Sequence, residues 1–436
     1  AQVKEQSVRM PGTVDGRLFV VQRIILTVMA LALPLAPRLV PALLVALGLV
    51  SAIRLYASDK ARLRAIVRHP VFAAATALAA YMALGALWAL DPASALAKSG
   101  VVLLLTAAGC CAAADLRRLP PVPARHLARG TLAGLVFGAG LLLADFLLDQ
   151  ALWIFVHNQF PGLTSAVKKG VVRDGELIRA ANAFHLNRNI AALAIVVWPA
   201  GLLLWHALGD AWRVAGLILL GIVTLAAVAV SESQTSMVAL GLGALVLAAA
   251  HVSLGTVLRT VAVIWIAGIV LAVPLGTLPY KLGWQEWDWL PRSSVAARFY
   301  IWKFTADAVA ERPLTGIGVR GTRALQQRLY AERRLDPANR YSERPGRHAH
   351  NAFLQVWLEL GAAGAALVLV VGLAGLWQLR GLSVPGARAG AALFATSCAI
   401  AAFGWGIWQT WLLASFVLAW SLLAFADGLE AEDQRR

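Results

Sequence analysis

The residues best suited to chemistry sit in one short stretch, Arg344-Pro-Gly-Arg347-His348-Ala-His350-Asn351, which runs directly into a long apolar segment. Pro345 and Gly346 break regular structure, and His350 or Asn351 then stands where the N-cap of the following helix belongs. A helix N-terminus carries unpaired N–H groups and a partial positive charge, which suit an anion. Arg344 and Arg347 add fixed positive charge. That field is expected to push the His350 imidazole towards its neutral form, the form a general base needs. A lone His at a helix end is more commonly a cap or an interfacial residue, so position alone leaves both roles open. Further along, Asn351, Gln355 and Glu359 recur every four residues and share one helix face. Glu359 falls about two turns into the membrane, where an ionisable group faces a bundle interior or a water-filled cavity. Helix packing and catalysis are both open for it. Gly361 and Gly364 follow and permit close helix contact.

The elements that must position these residues are membrane spans. The chain has 436 residues, 59% hydrophobic and only 14% charged, with a mean hydropathy of +0.70. Soluble domains carry about 45–50% apolar and about 25% charged residues, so a soluble multidomain protein is excluded. The sequence predicts an all-α polytopic membrane protein with about 12 transmembrane helices. The apolar runs lie near 18–36, 39–57, 70–90, 96–114, 131–156, 189–208, 212–230, 236–254, 257–278, 351–379, 388–405 and 407–427. Lys60, Arg62, Arg64 and Arg68, then Arg117, Arg118, Arg125 and Arg129, and later Arg213, Arg259, Arg380 and Arg388 all mark connections of one parity. Positive charge in short loops marks the cytoplasmic side, so both termini are expected there. Residues 1–278 then hold spans one to nine with a smaller outer loop at 157–188. Residues 279–350 form a long outer loop between helices 9 and 10, and 351–436 hold spans ten to twelve with a cytoplasmic tail.

That long loop is rich in Arg on the wrong side for a topology signal, although loops beyond about 60 residues cross largely regardless of charge. Its charge suits either anionic headgroups or a phosphate-bearing substrate. Trp284, Trp287 and Trp289 suit the membrane interface. Glu286 and Asp288 alternate with them, but no third ligand has suitable spacing, and no metal is expected. The net charge of +16 falls between apolar runs without an aromatic platform or finger spacing, which argues against nucleic acid and for membrane lipids. Cys110, Cys111 and Cys398 lie inside apolar runs and suggest no disulfide framework. The polar stretch Ala1–Gly16 lacks a signal-peptide core, and no removable segment is expected. Asp145 and Asp149, four apart in span five, are expected to pair with loop arginines or reach the interface, with an ion path as the alternative.

His350-Asn351, nine residues, Gly361, two residues and Gly364 resemble the His-[Asn/Ser/Gln]-x9-Gly-x-x-[Gly/Thr/Tyr] pattern of bacterial O-antigen ligases. Arg298-Phe-Tyr-Ile-Trp302 with Arg312-Pro-Leu-Thr-Gly316-Ile-Gly318 resembles the Arg…Trp…Pro-Leu-x-Gly-x-Gly stretch of the O-antigen ligase/polymerase superfamily. Arg179-Ala-Ala-Asn-Ala-Phe184 followed by Asn189-Ile-Ala-Ala is similar to a further segment of it, with Asn182 where Gly is usual. Gln234 stands where Arg is common. The string Gly316-Ile-Gly-Val-Arg-Gly321 also spells a dinucleotide fingerprint, but the strand and βαβ context it requires are missing. It is read as a glycine-bearing turn that can bring backbone close to a phosphate.

The resemblance implies a membrane glycosyltransferase of lipopolysaccharide biosynthesis with a GT-C-like architecture, working at the periplasmic face of the bacterial inner membrane. It would transfer O-antigen glycan from undecaprenyl diphosphate to a hydroxyl of lipid A–core, with inversion and without a cofactor. His350 would be the base, and Arg179, Arg188, Arg298 and Arg347, with Asn351, would bind substrate. An O-antigen polymerase, a ligase for protein acceptors, and a lipid-glycan flippase or transporter are the alternatives. Transporters place sites at the midplane within repeated halves, whereas here the polar candidates sit at helix ends and in loops.

Overall fold

The computed structural model describes residues 14–161, 170–288, 294–332, 334 and 343–433. Residues 1–13 and Trp289 therefore lie outside the described residues, as do parts of both outer loops. The chain folds into helices α1 (Val14–Leu35), α2 (Val40–Ser58), α3 (Lys60–Val67), α4 (Pro70–Leu84), α5 (Pro92–Leu116), α6 (Pro121–Leu147) and α7 (Ala151–Gln159). A hairpin of β1 (Val171–Asp174) and β2 (Leu177–Ala181) follows. Then come α8 (Asn187–Ala207), α9 (Asp210–Ala229), α10 (Gln234–Val270), α11 (Ala272–Lys281), α12 (Ser294–Val309) and α13 (Gly321–Ala331). The chain closes with α14 (Ala352–Gln378), α15 (Val384–Phe403) and α16 (Thr410–Asp433).

Local chemistry sets many of the helix starts. Proline stands in the first turn of α2, α4, α5, α6 and α15, where its missing N–H costs nothing. Asp59, Asp91, Asn351 and Ser383 cap α3, α5, α14 and α15 by accepting backbone N–H bonds.

Among the described residues, eleven helical segments are long and apolar enough to cross a membrane, against the twelve spans expected. The difference lies in α10, which is counted once although it has 37 residues. Straight, it would run about 55 Å, well beyond a hydrocarbon core of about 30 Å. Ser253 leaves the helical region inside it, at φ −153 and ψ 95, and divides it where spans eight and nine were expected to part. A second departure concerns span five. The helix begins at Pro121 rather than near 131 and stops at Leu147. Asp149 and Gln150 then take left-handed conformations before α7. Asp145 and Asp149 therefore do not share a helix face. The buried Asp145 carboxylate accepts the N–H groups of Leu152 and Trp153, satisfying the free N-terminus of α7. The hairpin is a third departure, a small antiparallel sheet in an otherwise helical chain.

The centre of the bundle is α8, whose residues Ala191–Val196 are fully buried against α1, α6, α9, α15 and α16. On its flank α6 lies directly against α1: a Cβ on Gly134 would sit 2.5 Å from the Thr27 carbonyl oxygen. With no hydrophobic drive between helices in lipid, such small-residue contact supplies packing.

The two ends of the bundle differ in chemistry. At one end the basic connections meet: Arg118 donates to Ser58, Arg117 pairs with Asp427 at 2.7 Å, and Arg388 donates to the Ala250 carbonyl at 3.2 Å. Beneath them Arg54 and Asp115 form a buried pair at 3.2 Å, joined by Gln22 and Ser51. At the other end Asn189 donates to the Pro34 and Leu35 carbonyls, and Lys98 donates to Thr410. The hairpin, α12, α13 and the start of α14 belong to this second end.

Candidate active site

Asn351 is the cap of α14, its side-chain oxygen accepting from Phe353 N at 3.0 Å and Leu354 N at 3.2 Å. His350, just before it, is held at φ 54. That left-handed backbone is uncommon away from glycine and marks an imposed geometry. Its Nδ1 lies 3.0 Å from the carbonyl oxygen of Gly404. A carbonyl only accepts, so Nδ1 carries the proton and Nε2 keeps its lone pair. Burial pushes the His350 pKa down to about 4, helped by the Arg298 guanidinium and opposed by the bond to Gly404. The direction matches expectation, but the cause does not: desolvation and Arg298 act here, rather than Arg344 and Arg347. Arg344 instead reaches the Tyr330 hydroxyl at 3.4 Å.

His348 lies beside His350 with ring centroids 4.1 Å apart and the rings tilted by 43°. Its Nε2 is buried without a hydrogen-bond partner. Burial comes first in pushing its pKa well below the usual value, followed by His350, Arg347 and Arg298. Arg298, on α12, is half-buried and lowered by burial, and it has no ion pair among the described residues. Arg347 is exposed at the rim.

The remaining expected arginines sit differently. The Arg188 guanidinium lies 5.4 Å from the Trp411 ring centre, and its Nε is buried without a partner. Trp411 in turn meets Trp405 edge-on at 5.3 Å, next in sequence to Gly404, so a chain of contacts links Arg188 to the carbonyl that holds His350. Arg179 stands on the exposed hairpin, paired with Asp174 at 2.9 Å. The fold therefore gathers His350, His348, Arg298 and Arg347, reaches Arg188 through two tryptophans, and leaves Arg179 in a solvent-facing ion pair.

One organising segment was not foreseen. Residues 404–409, Gly-Trp-Gly-Ile-Trp-Gln, join α15 to α16, where two spans were expected to abut. Besides Gly404 and Trp405, it places Gly406 against His348 and the Ile407 N–H 3.3 Å from Gln355 Oε1. The Trp408 indole donates to Glu359. The signal was present in two glycines and two tryptophans between apolar runs.

Glu359 is fully buried and holds two walls together. It accepts from Arg320 N at 2.7 Å, Thr322 N at 3.2 Å, Gln355 Nε2 at 3.1 Å and the Trp408 indole. Those donors compensate a carboxylate that burial alone would make costly. Close by, α14 breaks at Gly361, with φ 64 and ψ −167. The loop Pro313–Gly318 fills the break: Ile317 and Gly318 donate to the Leu358 and Glu359 carbonyls, and Ala362 donates to Pro313. A Cβ on Gly316 would meet the Glu359 carbonyl carbon at 2.4 Å. Gly316 thus lets backbone approach α14, while Gly318 packs against Ala89.

Comparison with known proteins now bears on this site. Residues 219–369 match the O-antigen ligase family model. Over these residues the chain is similar to the O-antigen ligase family. The match contains His350, Arg298 and the Gly316–Gly361 docking, whereas Arg179 and Arg188 lie outside it. Relatives carrying the provisional name polysaccharide ligase agree. One from Rickettsia prowazekii is 26% identical over 233 residues, covering 53% of this chain and 56% of its own. One from Rickettsia bellii is 27% identical over 251 residues, covering 56% and 58%. The chain spans little more than half the length of the curated relatives it matches.

Proposed function

We propose that the protein is a membrane glycosyltransferase, transferring a polysaccharide from a lipid diphosphate carrier to a sugar hydroxyl of lipid A–core at the periplasmic face. One observation carries the reading. His350 is neutral, fixed through Nδ1 by the Gly404 carbonyl, and open at Nε2 beside an arginine that has no ion pair among the described residues. In the reaction the acceptor oxygen attacks the donor's anomeric carbon while its proton passes to His350 Nε2. The bond from that carbon to the phosphate oxygen breaks, and negative charge grows on the departing diphosphate. Arg298 and Arg188 are suited to receive it, because unpaired guanidiniums in a low-dielectric setting stabilise developing charge strongly. Arg347 and Arg179 can assist from the rim and the hairpin, and Asn351 fixes the helix that follows the base. Attack opposite the leaving group inverts the anomeric centre.

The test is turnover by the purified protein with undecaprenyl diphosphate-linked glycan and lipid A–core. His350→Ala should lower kcat by about 10²–10⁴-fold, the usual scale for a general base, and wild-type rates in that variant would sink the assignment. The same assay separates the alternatives, because a polymerase would lengthen glycan on its carrier and a flippase would move it without making a bond.

A further inference from the structure

His348 stands beside the candidate base and has no part in the mechanism above. Among the described residues neither of its ring nitrogens has a hydrogen-bond partner, and Nε2 is buried. The ring is held in place all the same. On one side it meets the His350 ring, with centroids 4.1 Å apart and a tilt of 43°. On another lies the 404–409 linker, where a Cβ on Gly406 would stand 2.9 Å from His348 Cβ and 3.1 Å from Cγ. The linker is fixed there in turn, because Ile407 N donates to Gln355 Oε1 at 3.3 Å. Ala349, between the two histidines, is fully buried in one apolar cluster with Phe299 and Trp302 of α12. Both histidines are therefore anchored through the backbone they share.

A ring that served only to pack would do so equally well without nitrogens, whereas a buried nitrogen lacking a partner is destabilising. A bound molecule that supplies the partner removes that cost. Its chemistry follows from the state of the ring. Burial comes first in pushing the His348 pKa well below the usual value, so the neutral imidazole offers one donor and one acceptor and no charge. A phosphate, which is anionic and accepts only, is better met by Arg298. A hydroxyl both donates and accepts, and so matches either tautomer. In the proposed reaction the acceptor oxygen lies at His350 Nε2. The next hydroxyl of that sugar is on the adjoining carbon, and the adjoining imidazole is His348.

We propose that His348 binds the hydroxyl next to the accepting one on the same acceptor sugar, and so selects acceptors that present two neighbouring hydroxyls. His348 then sets acceptor specificity and is not a second base, an assignment that rests on the glycosyl-transfer reading.

The experiment is turnover by the purified full chain with undecaprenyl diphosphate-linked glycan and lipid A–core. Linkage analysis of the wild-type product locates the accepting hydroxyl. Further acceptors then lack the hydroxyl on one or other adjoining carbon. Loss of one of these should lower wild-type kcat/KM by about tenfold or more, because the polar group that meets it is left unpaired. His348→Phe keeps the ring and loses both nitrogens, so it should use intact and deoxy acceptors alike. His348→Gln regains a donor and an acceptor and should restore part of the preference. Wild-type indifference to every deoxy acceptor would overturn the assignment, as would an accepting hydroxyl with no neighbour. An undiminished preference in His348→Phe would do the same, and if that variant does not fold the wild-type series alone decides. Transfer accompanied by indifference would leave the glycosyl-transfer reading standing, whereas no transfer to lipid A–core would overturn both.

Discussion

His350 is bound at Nδ1 and open at Nε2, and that asymmetry makes its pH behaviour informative. On the proposed mechanism the neutral imidazole is the working form, and burial pushes its pKa down to about 4. Rate should therefore stay level through neutral pH and fall only as pH drops through about 4, which a pH profile of kcat/KM reads directly. Arg298→Gln removes one of the influences that depress this value, so the acidic limb should move upward, in addition to a loss of kcat. A limb that stays in place would show that burial alone sets the pKa. At Arg188, replacement by Lys keeps charge but loses the planar fork that lies over Trp411. The expected loss is about tenfold or more in kcat/KM for the donor, on the scale of one charge-assisted bond. As candidates, His350 and Arg298 were legible from motif spacing. Their differing roles were not, because spacing carries no information on burial or on which cation lacks a partner.

The break in α14 is the element on which the site depends. Gly361→Ala would force φ 64 on a residue with a Cβ and place that Cβ 2.3 Å from the Leu314 carbonyl carbon. A cost of about 1–3 kcal/mol from the backbone alone is expected, with more from the displaced loop. A lowered unfolding temperature and lost transfer would report it. Glu359→Leu removes the acceptor shared by two backbone N–H groups, Gln355 and Trp408. Each orphaned donor costs about 1–3 kcal/mol, so the variant should be strongly destabilised, as measured by thermal unfolding in detergent. Glu359→Gln should retain part of the stability while losing activity, because an amide cannot accept all four bonds. Helix α14 was readable as a span, and its start as a cap. The break was not, since Gly361 in an apolar run reads equally as close helix packing.

At the scale of the molecule, the two ends of the bundle carry opposite expectations. The basic connections gather at one end and the candidate site at the other, which supports cytoplasmic termini and an outward site under the positive-inside rule. Glu176→Cys on the exposed hairpin and Arg64→Cys on an exposed basic connection test it with an impermeant thiol reagent on intact cells. Labelling of Glu176→Cys and protection of Arg64→Cys is expected. The reverse pattern would place the site on the cytoplasmic side and remove the periplasmic reading. Cys110, Cys111 and Cys398 lie within helices and set the background.

The amino-acid sequence by itself determined the class of molecule, the approximate spans, a cap at His350 or Asn351 and the resemblance to O-antigen ligases. These are local properties: hydropathy adds along the chain, and capping involves neighbours a few residues apart. Only the tertiary structure decided what surrounds His350. The carbonyl that sets its tautomer comes from Gly404, 54 residues away, in a linker too short and too aromatic to stand out between two apolar runs. The same packing separated Arg298, which lies beside His350, from Arg179, which pairs with Asp174 in solvent. It also turned an apparent phosphate loop into the wedge that fills a broken helix. Such partners are chosen by the packing of helices distant in sequence, and no period or motif along one segment encodes them.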